Sequence, residues 1–151
     1  MKTGILSRLL RSRSGSAVVD FAMVTPPLLA IAFGIFEYAR FFWTQEALEQ
    51  TATAAARCMG VLSSSCASGG AYSSGNTQTY ISGLASSWGI SIPTANMTLN
   101  NAATCGGTTG FSQVTLTTDF TTAVPDIIPF PGAGQTMTAI ACFPNFTPPS
   151  S

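Results

Sequence analysis

Histidine is absent from these 151 residues, and charged side chains of both signs make up only 8% of them. Without histidine the chain lacks the side chain that most often serves as a general acid or base near neutral pH. The sequence also has no Cys-x-x-Cys pair, nucleophile elbow or phosphate-binding loop. We therefore predict a protein that is not an enzyme and that binds no cofactor and no metal.

The few charges are segregated along the chain. Four of the basic residues lie at the N-terminus, namely Lys2, Arg8, Arg11 and Arg13. Beyond Arg57 the only charged residues are Asp119 and Asp126, and an enzyme would have to gather these two carboxylates around a metal. Nucleic-acid binding requires a basic face on the folded domain, so nucleic acid is excluded as a partner.

A long apolar run extends from Gly15 to Phe36, and between Ser16 and Phe36 its only charge is Asp20. A membrane-spanning helix needs about 20 mostly apolar residues, so we place an anchor in inner-membrane lipid at residues 17–36. Basic residues precede it, and the positive-inside rule then predicts a cytoplasmic N-terminus and a periplasmic C-terminal part.

The same run could instead be a cleaved secretory signal that ends at residues 30–32 (AIA), a small-x-small site. Two features disfavour this interpretation. Asp20 interrupts the apolar core that such a signal requires, and the apolar run continues past Ala32 to Phe36. We therefore expect the anchor to be retained.

The helical pattern continues beyond the anchor and predicts one long helix over residues 16–62. Glu37 and Arg40, three residues apart, form a candidate ion pair at the membrane interface, and residues 41–43 (FFW) resemble an interfacial aromatic belt. One face of the outer half is predicted to pack on a small domain: Leu48, Thr51, Ala55, Cys58, Met59 and Leu62. Pro26 and Pro27 predict a kink or local unwinding at residues 22–24.

The chain is predicted to begin with a basic leader (1–15), followed by the long helix. Residues 63–143 are then predicted to form a small extracytoplasmic α+β domain, and residues 144–151 a flexible tail. Its expected parts are a loop (63–76), a helix (77–88) capped by Asn76 or Thr77 and ended by Gly89, and three antiparallel strands (96–100, 112–122 and 135–143). The apolar loop at 124–134 contains Val124, Ile127, Ile128 and Phe130, and either contacts partners or closes the domain's own core.

Four cysteines, all beyond the anchor, indicate two disulfides in an oxidising compartment. Folding the strands about Ile128 and about Gly106 places Cys142 and Thr98 opposite Val114. This arrangement returns the last strand toward Cys105, so Cys105–Cys142 is predicted. Cys58–Cys66 then ties the end of the long helix to its loop, one of the three pairings that four cysteines allow.

The junction at residues 15–21 (GSAVVDF) follows basic residues and opens the apolar helix. It resembles the processing site of type IV pilin-like proteins. In that family a membrane-embedded prepilin peptidase cleaves after the glycine on the cytoplasmic side, and the helix is retained. The resemblance implies cleavage between Gly15 and Ser16, with Asp20 where the family usually has Glu.

Three stretches resemble TadE-like minor pseudopilins of the tight-adherence (Flp pilus) system. They are residues 15–22 (GSAVVDFA), residues 33–40 (FGIFEYAR) with the later Ala-rich end at 54–57 (AAAR), and the Thr-rich strands within 114–142. The resemblance implies a pilin-like structural subunit in the bacterial inner membrane. It leaves open whether the subunit enters an extracellular filament, forms an initiation complex or stays in the membrane.

The resemblance also implies roles for charged groups and for small residues of the N-terminal helix. Cleavage would free an α-amine on Ser16, which is largely cationic at neutral pH because such amines have a pKa of about 8. Asp20 lies four residues along on the same helical face, and could pair with this amine in its own chain or in a neighbour. Ala30 and Gly34 form a small-xxx-small pair through which helices pack in lipid.

The partners implied are prepilin peptidase and other pilin or pseudopilin subunits, the latter reached through the N-terminal helix. An alternative function belongs to a different class. The chain could be an unprocessed single-pass membrane protein whose extracytoplasmic domain binds a ligand or a surface.

Overall fold

The computed structural model describes residues 14–123 and 134–146, with side chains described from Ala17 onward. Its helices are α1 (Ser14–Gly60) and α2 (Ser74–Ser87), and a 3-10 turn spans Thr94–Asn96. Its strands are β1 (Ala67–Ser68), β2 (Ala71–Tyr72), β3 (Met97–Cys105), β4 (Thr108–Asp119) and β5 (Thr136–Pro144). A long apolar helix, a second helix and a three-stranded antiparallel sheet confirm the predicted α+β class.

The chain divides after Tyr38 into two compact units, and the one from Ala39 onward is called the C-terminal unit here. Helix α1 is unbroken from Ser14 to Gly60, so local unwinding does not occur at residues 22–24, and the other form of the prediction, a kink, stays a prediction. Each proline removes one helix hydrogen bond, and the remaining bonds suffice to hold the turn. The Thr25 hydroxyl adds a bond to the Phe21 carbonyl at 2.7 Å.

The end of α1 is a Schellman motif. The Leu62 amide donates to the Met59 carbonyl and the Ser63 amide donates to the Cys58 carbonyl, each at 3.1 Å. Leu62 has φ of 50°, the left-handed position that glycine usually fills in this motif. The helix therefore ends at Gly60, two residues before its predicted end.

A short hairpin precedes α2 in the segment predicted as a loop. Strands β1 and β2 pair antiparallel, Ala67 with Tyr72, and Gly69 and Gly70 supply the two positive φ values that a tight hairpin turn needs. The sequence predicted a loop instead of this hairpin because the segment is rich in Ser, Gly and Ala. The Asn76 side chain holds it to α2 by donating to the Ala67 carbonyl at 2.8 Å.

Helix α2 begins three residues earlier than predicted because Ser73 caps it. The Ser73 hydroxyl accepts from the Asn76 amide at 3.4 Å, so the predicted cap at Asn76 or Thr77 is wrong. Gly89 ends the helix as predicted: its φ is 76°, and the next amide, of Ile90, donates to the Ala85 carbonyl at 3.0 Å.

In the larger sheet β4 lies between β3 and β5. Val114 pairs with Leu99 on β3 and with Ala141 on β5. The predicted partners Thr98 and Cys142 are each wrong by one residue. Successive side chains along a strand point to opposite faces of a sheet. Only the observed register therefore turns Leu99, Val114 and Ala141 together toward the core.

The core of the C-terminal unit is a single cluster between the outer part of α1, α2 and one face of the sheet. Helix α1 contributes three small alanines, which allow its backbone to approach closely. Its buried members are Leu48, Ala52, Ala55, Ala56, Met59, Ile81, Ala85, Ile92, Met97, Val114, Leu116, Phe120, Met137 and Ala139. Of the helix face predicted to pack, every residue except Leu62 is buried.

Two disulfides join the cysteine pairs expected from the sequence, Cys58–Cys66 and Cys105–Cys142. The second joins strands that are not neighbours, since β4 lies between them, yet the two Cα atoms are 6.5 Å apart. The hairpin of β3 and β4 must therefore curl toward β5. Register shifts after Asn100 and a φ of 88° at Gly110 provide this bend.

Candidate functional site

The anchor region of α1 exposes apolar side chains on every side. Its exposed members are Val18, Val19, Phe21, Met23, Val24, Leu28, Leu29, Ile31, Phe33, Ile35 and Phe36. Neighbours such as Val18 and Val19 point in different directions, so this is not a one-sided amphipathic helix. By length and composition it could cross a membrane, and none of its most apolar 18-residue window is buried. It fits the helix of a single-pass membrane protein.

The residues of the predicted cleavage junction lie at the start of this helix. Helix α1 begins at Ser14, so Gly15 and Ser16 belong to its first turn. Asp20 follows one turn after Ser16 and is exposed. The helical spacing puts positions 16 and 20 on one face. Cleavage after Gly15, and the pairing of Asp20 with the resulting amine, stay predictions.

The predicted small pair lies in the middle of the anchor. Ala30 is exposed and Gly34 is half-buried, one turn further along. A Cβ atom built on Gly34 would meet nothing within 4 Å. The space beside this residue is therefore open to another helix, although its use in packing stays a prediction.

Glu37 and Arg40 differ in their surroundings. Glu37 is buried, with 3% of its surface exposed, whereas Arg40 is exposed and its guanidinium carbon lies 5.8 Å from the centre of the Phe120 ring. That distance is within the range of a cation–π contact. The ion pair predicted between Glu37 and Arg40 stays a prediction.

The aromatic residues that follow have a packing role that the sequence did not reveal. The Trp43 indole donates to the Trp88 carbonyl at 3.2 Å, and the two rings meet edge to face at 5.6 Å. The rings of Phe41 and Phe120 also meet edge to face, with their centres 5.4 Å apart. These contacts hold α1 against the end of α2 and the end of β4. Trp88, the last residue of the predicted helix at 77–88, was the available signal.

Asn145 is a second residue whose role the sequence concealed. Its side-chain amide donates to the Asn101 carbonyl at 2.6 Å, and its side-chain oxygen accepts from the Ser112 hydroxyl at 2.6 Å. Its own backbone amide donates to the Gly110 carbonyl at 2.9 Å. Asn145 thus joins three parts of the curled sheet, inside a segment that the sequence predicted to be a flexible tail.

The described residues offer no metal site, since no three His, Cys, Asp or Glu side chains gather in residues 14–123 and 134–146. Asp119 accepts a hydrogen bond from the Thr136 hydroxyl at 2.6 Å, which ties the ends of β4 and β5 together. Asp126, the other member of the hypothetical catalytic pair, lies outside the described residues, as does most of the apolar loop at 124–134.

Residues 15–57 match the family model described as TadE-like protein. The matched segment begins at the predicted cleavage glycine and ends in the last turns of α1. Searches of curated proteins and of solved structures each found no match.

Proposed function

We propose that this chain, of which residues 15–57 match the TadE-like family model, is a structural minor pseudopilin that takes part in assembling a Tad (Flp-type) pilus. The family is pilus-associated and structural rather than catalytic. The observation that best supports the proposal is the apolar α1 segment that follows the basic leader, because its side chains are exposed all round. Such a segment is stable only in lipid or among other apolar helices.

The first step is processing. Prepilin peptidase removes residues 1–15 on the cytoplasmic side of the inner membrane, and α1 remains in the bilayer. The C-terminal unit then lies in the periplasm, where oxidising conditions maintain its two disulfides. The basic residues of the leader set this orientation before they are removed.

The second step is association. The new amine of Ser16 is a cation at the edge of an apolar environment, where an unpaired charge is costly. The Asp20 carboxylate neutralises it, either in the same chain or in a neighbouring subunit. Ala30 and Gly34 let a neighbouring pilin or pseudopilin helix approach closely.

A cleavage assay tests the first step. The full chain is expressed with prepilin peptidase, and its N-terminus is determined with and without a Gly15→Val substitution. We expect cleavage of the unsubstituted chain only. Gly34→Val is the matched control, since it alters a glycine in the same helix that has open space beside it, and it should be cleaved normally.

Substitution of Asp20 tests the second step. Asp20→Asn should be processed but should assemble poorly, because it keeps the size of the side chain and removes its charge. Asp20→Glu should assemble normally, since it retains the charge. Normal assembly of both variants would remove Asp20 from the mechanism, and an unprocessed unsubstituted chain would favour the alternative of an unprocessed single-pass protein.

A further inference from the structure

An open groove with a volume of about 450 Å³ runs between the last turns of α1 and the middle of α2. Its volume falls in the range of sites that bind small ligands, about 300–1,000 Å³. Helix α1 contributes Gln50, Thr53, Ala54 and Arg57 to its lining, and α2 contributes Tyr80. The polar groups of this lining indicate what kind of ligand fits.

Tyr80 also borders a second open depression, with a volume of about 370 Å³. The side chains that line it besides Tyr80 carry hydroxyl or amide groups: Ser64, Ser65, Asn76 and Thr79. The Cys58–Cys66 disulfide ties the loop that carries the two serines to α1. The groove and the depression therefore form one elongated surface with half-buried Tyr80 between them, and we call this surface the Tyr80 site.

Several polar groups of the Tyr80 site are not used within the protein. The other threonines of α1 and α2 each donate a hydroxyl to the carbonyl four residues earlier: Thr25, Thr44, Thr51, Thr77 and Thr79. In the described part of the chain, the Thr53 hydroxyl, the Tyr80 hydroxyl and the Arg57 guanidinium make no hydrogen bond to another protein group. A ligand can therefore replace water at all three.

Charge in the Tyr80 site has one sign. Of the described residues that line it, Arg57 alone is charged. A cation in the last turn of α1 complements the negative end of the helix, but that role does not require a groove. A guanidinium binds a carboxylate through two parallel hydrogen bonds. The ligand that fits best carries a carboxylate and is otherwise neutral.

The rest of the lining favours a ligand rich in hydroxyl groups. Hydroxyl and amide side chains both donate and accept hydrogen bonds, as do the hydroxyl and acetamido groups of sugars. The negative face of the Tyr80 ring suits the weakly positive C–H groups of a sugar ring. A peptide instead needs a free strand edge or an apolar groove. The main walls here are helices, whose backbone groups are bonded within the helix.

The position of Arg57 excludes a membrane phospholipid as this ligand. Arg57 lies about 27 Å along α1 from Ala39, where the C-terminal unit begins. The headgroup layer on one side of a bilayer is only about 5–8 Å thick. A helix that stands across the bilayer therefore carries Arg57 well beyond that layer.

We propose that the Tyr80 site binds a carboxylate-bearing glycan strand of the cell wall. Arg57 holds the carboxylate, a sugar ring packs on Tyr80, and the neighbouring hydroxyl groups bond the sugar hydroxyls. This inference rests on the proposed function, which puts the C-terminal unit in the periplasm, where such strands lie. It gives the subunit a contact outside the membrane that holds its anchor.

Two labelled tetrasaccharides test the proposal. One alternates N-acetylglucosamine with N-acetylmuramic acid and therefore carries carboxylates, whereas the other contains only N-acetylglucosamine and is neutral. Binding to the full-length protein, extracted from membranes with both disulfides formed, is measured by fluorescence anisotropy. We expect the acidic tetrasaccharide to bind about tenfold more tightly or better, the gain expected from one charge-assisted hydrogen bond.

Substitutions separate the charge from the aromatic ring. Arg57→Gln should remove the preference for the acidic tetrasaccharide and leave binding of the neutral one unchanged. Arg40→Gln is the matched control, since it changes the net charge equally at a residue about 26 Å away along α1, and it should keep the preference. Tyr80→Leu should weaken both tetrasaccharides to the same degree.

Equal binding of the two tetrasaccharides, or the same loss in Arg57→Gln and Arg40→Gln, would overturn the proposal. Tighter binding of a tetra-aspartate peptide than of the acidic tetrasaccharide would overturn it as well, because the site would then belong to an acidic protein segment.

The N-terminus of the same sample separates this inference from the function beneath it. Protein that begins at Ser16 but shows no preference for the acidic tetrasaccharide would refute the glycan site and leave the pseudopilin function intact. Protein that retains the leader would refute the processing step, whatever it binds.

Discussion

Gly60 lies against Phe143 so closely that a Cβ atom at position 60 would come within 2.6 Å of the Phe143 Cδ1 atom and 2.8 Å of the Pro144 carbonyl oxygen. The Gly60 carbonyl also accepts a hydrogen bond from the Phe146 amide at 2.9 Å. The last turn of α1 therefore packs directly on the end of β5, and only glycine fits there.

Gly60→Ala should accordingly destabilise the C-terminal unit. The added methyl group must displace the Phe143 ring and also meets backbone, and overpacking of this kind costs about 1–3 kcal/mol. The midpoint of chemical unfolding should fall, measured by tryptophan fluorescence because Trp43 and Trp88 are in contact only in the folded unit.

Gly83→Ala is the matched control. Gly83 lies within α2, and a Cβ atom there would meet nothing within 4 Å. The substitution should raise the free energy of unfolding by about 0.5–1 kcal/mol, since alanine loses less backbone freedom in a helix. Equal destabilisation by both substitutions would contradict the close approach of Gly60 and Phe143.

Asn145→Ala should also destabilise the unit. It removes the acceptor of the Ser112 hydroxyl, which is fully buried. An unsatisfied buried polar group costs about 1–3 kcal/mol. Asn101→Ala keeps the backbone carbonyl that accepts from Asn145, and its unfolding free energy should stay within about 0.5 kcal/mol of the unsubstituted protein. A similar loss in both variants would show that the Asn145 side chain has no special role.

The two disulfides should be reduced in a fixed order. Cys142 is exposed and Cys105 is half-buried, whereas Cys58 and Cys66 are buried. A thiolate must reach a sulfur atom to attack it, so mild reductant should open Cys105–Cys142 first. Alkylation followed by peptide mapping would show this order, and simultaneous or reversed labelling would contradict the burial seen here.

Burial raises the pKa of Tyr72 above its ordinary value of 10.0. The folded protein favours the neutral phenol, so this contribution to stability is present below pH 10 and is lost as pH rises through the raised pKa. An absorbance titration of phenolate formation should contain a late component that disappears in Tyr72→Phe. An unchanged titration curve in that variant would contradict the prediction.

The sequence predicted most of what depends on local pattern. Helical periodicity placed the core face of α1, and the left-handed preference of glycine placed the end of α2 at Gly89. Prediction from the sequence failed where contacts between distant segments determine the structure. The predicted partners of Val114 on β3 and on β5 were each one residue away from the observed partners. They were predicted by folding the chain about an assumed loop centre, and the sequence does not locate that centre to a single residue.

The apolar anchor region of α1 was easier to predict from the sequence than the C-terminal unit that follows it. A membrane helix needs only composition and length, and both are visible around Asp20. By contrast, Trp43 was predicted to lie in an interfacial belt, and its contact with Trp88 depends on two helices that meet only after folding. Asn145 gave no signal either, since its three hydrogen bonds join distant segments.

The most direct measurement is the intact mass of the mature protein extracted from membranes of cells that possess a tight-adherence system. The proposed function predicts a chain that begins at Ser16 and retains α1, with both disulfides formed. A mass that includes residues 1–15 would contradict processing after Gly15, and a chain that begins at Phe33 would show that the anchor is removed rather than kept.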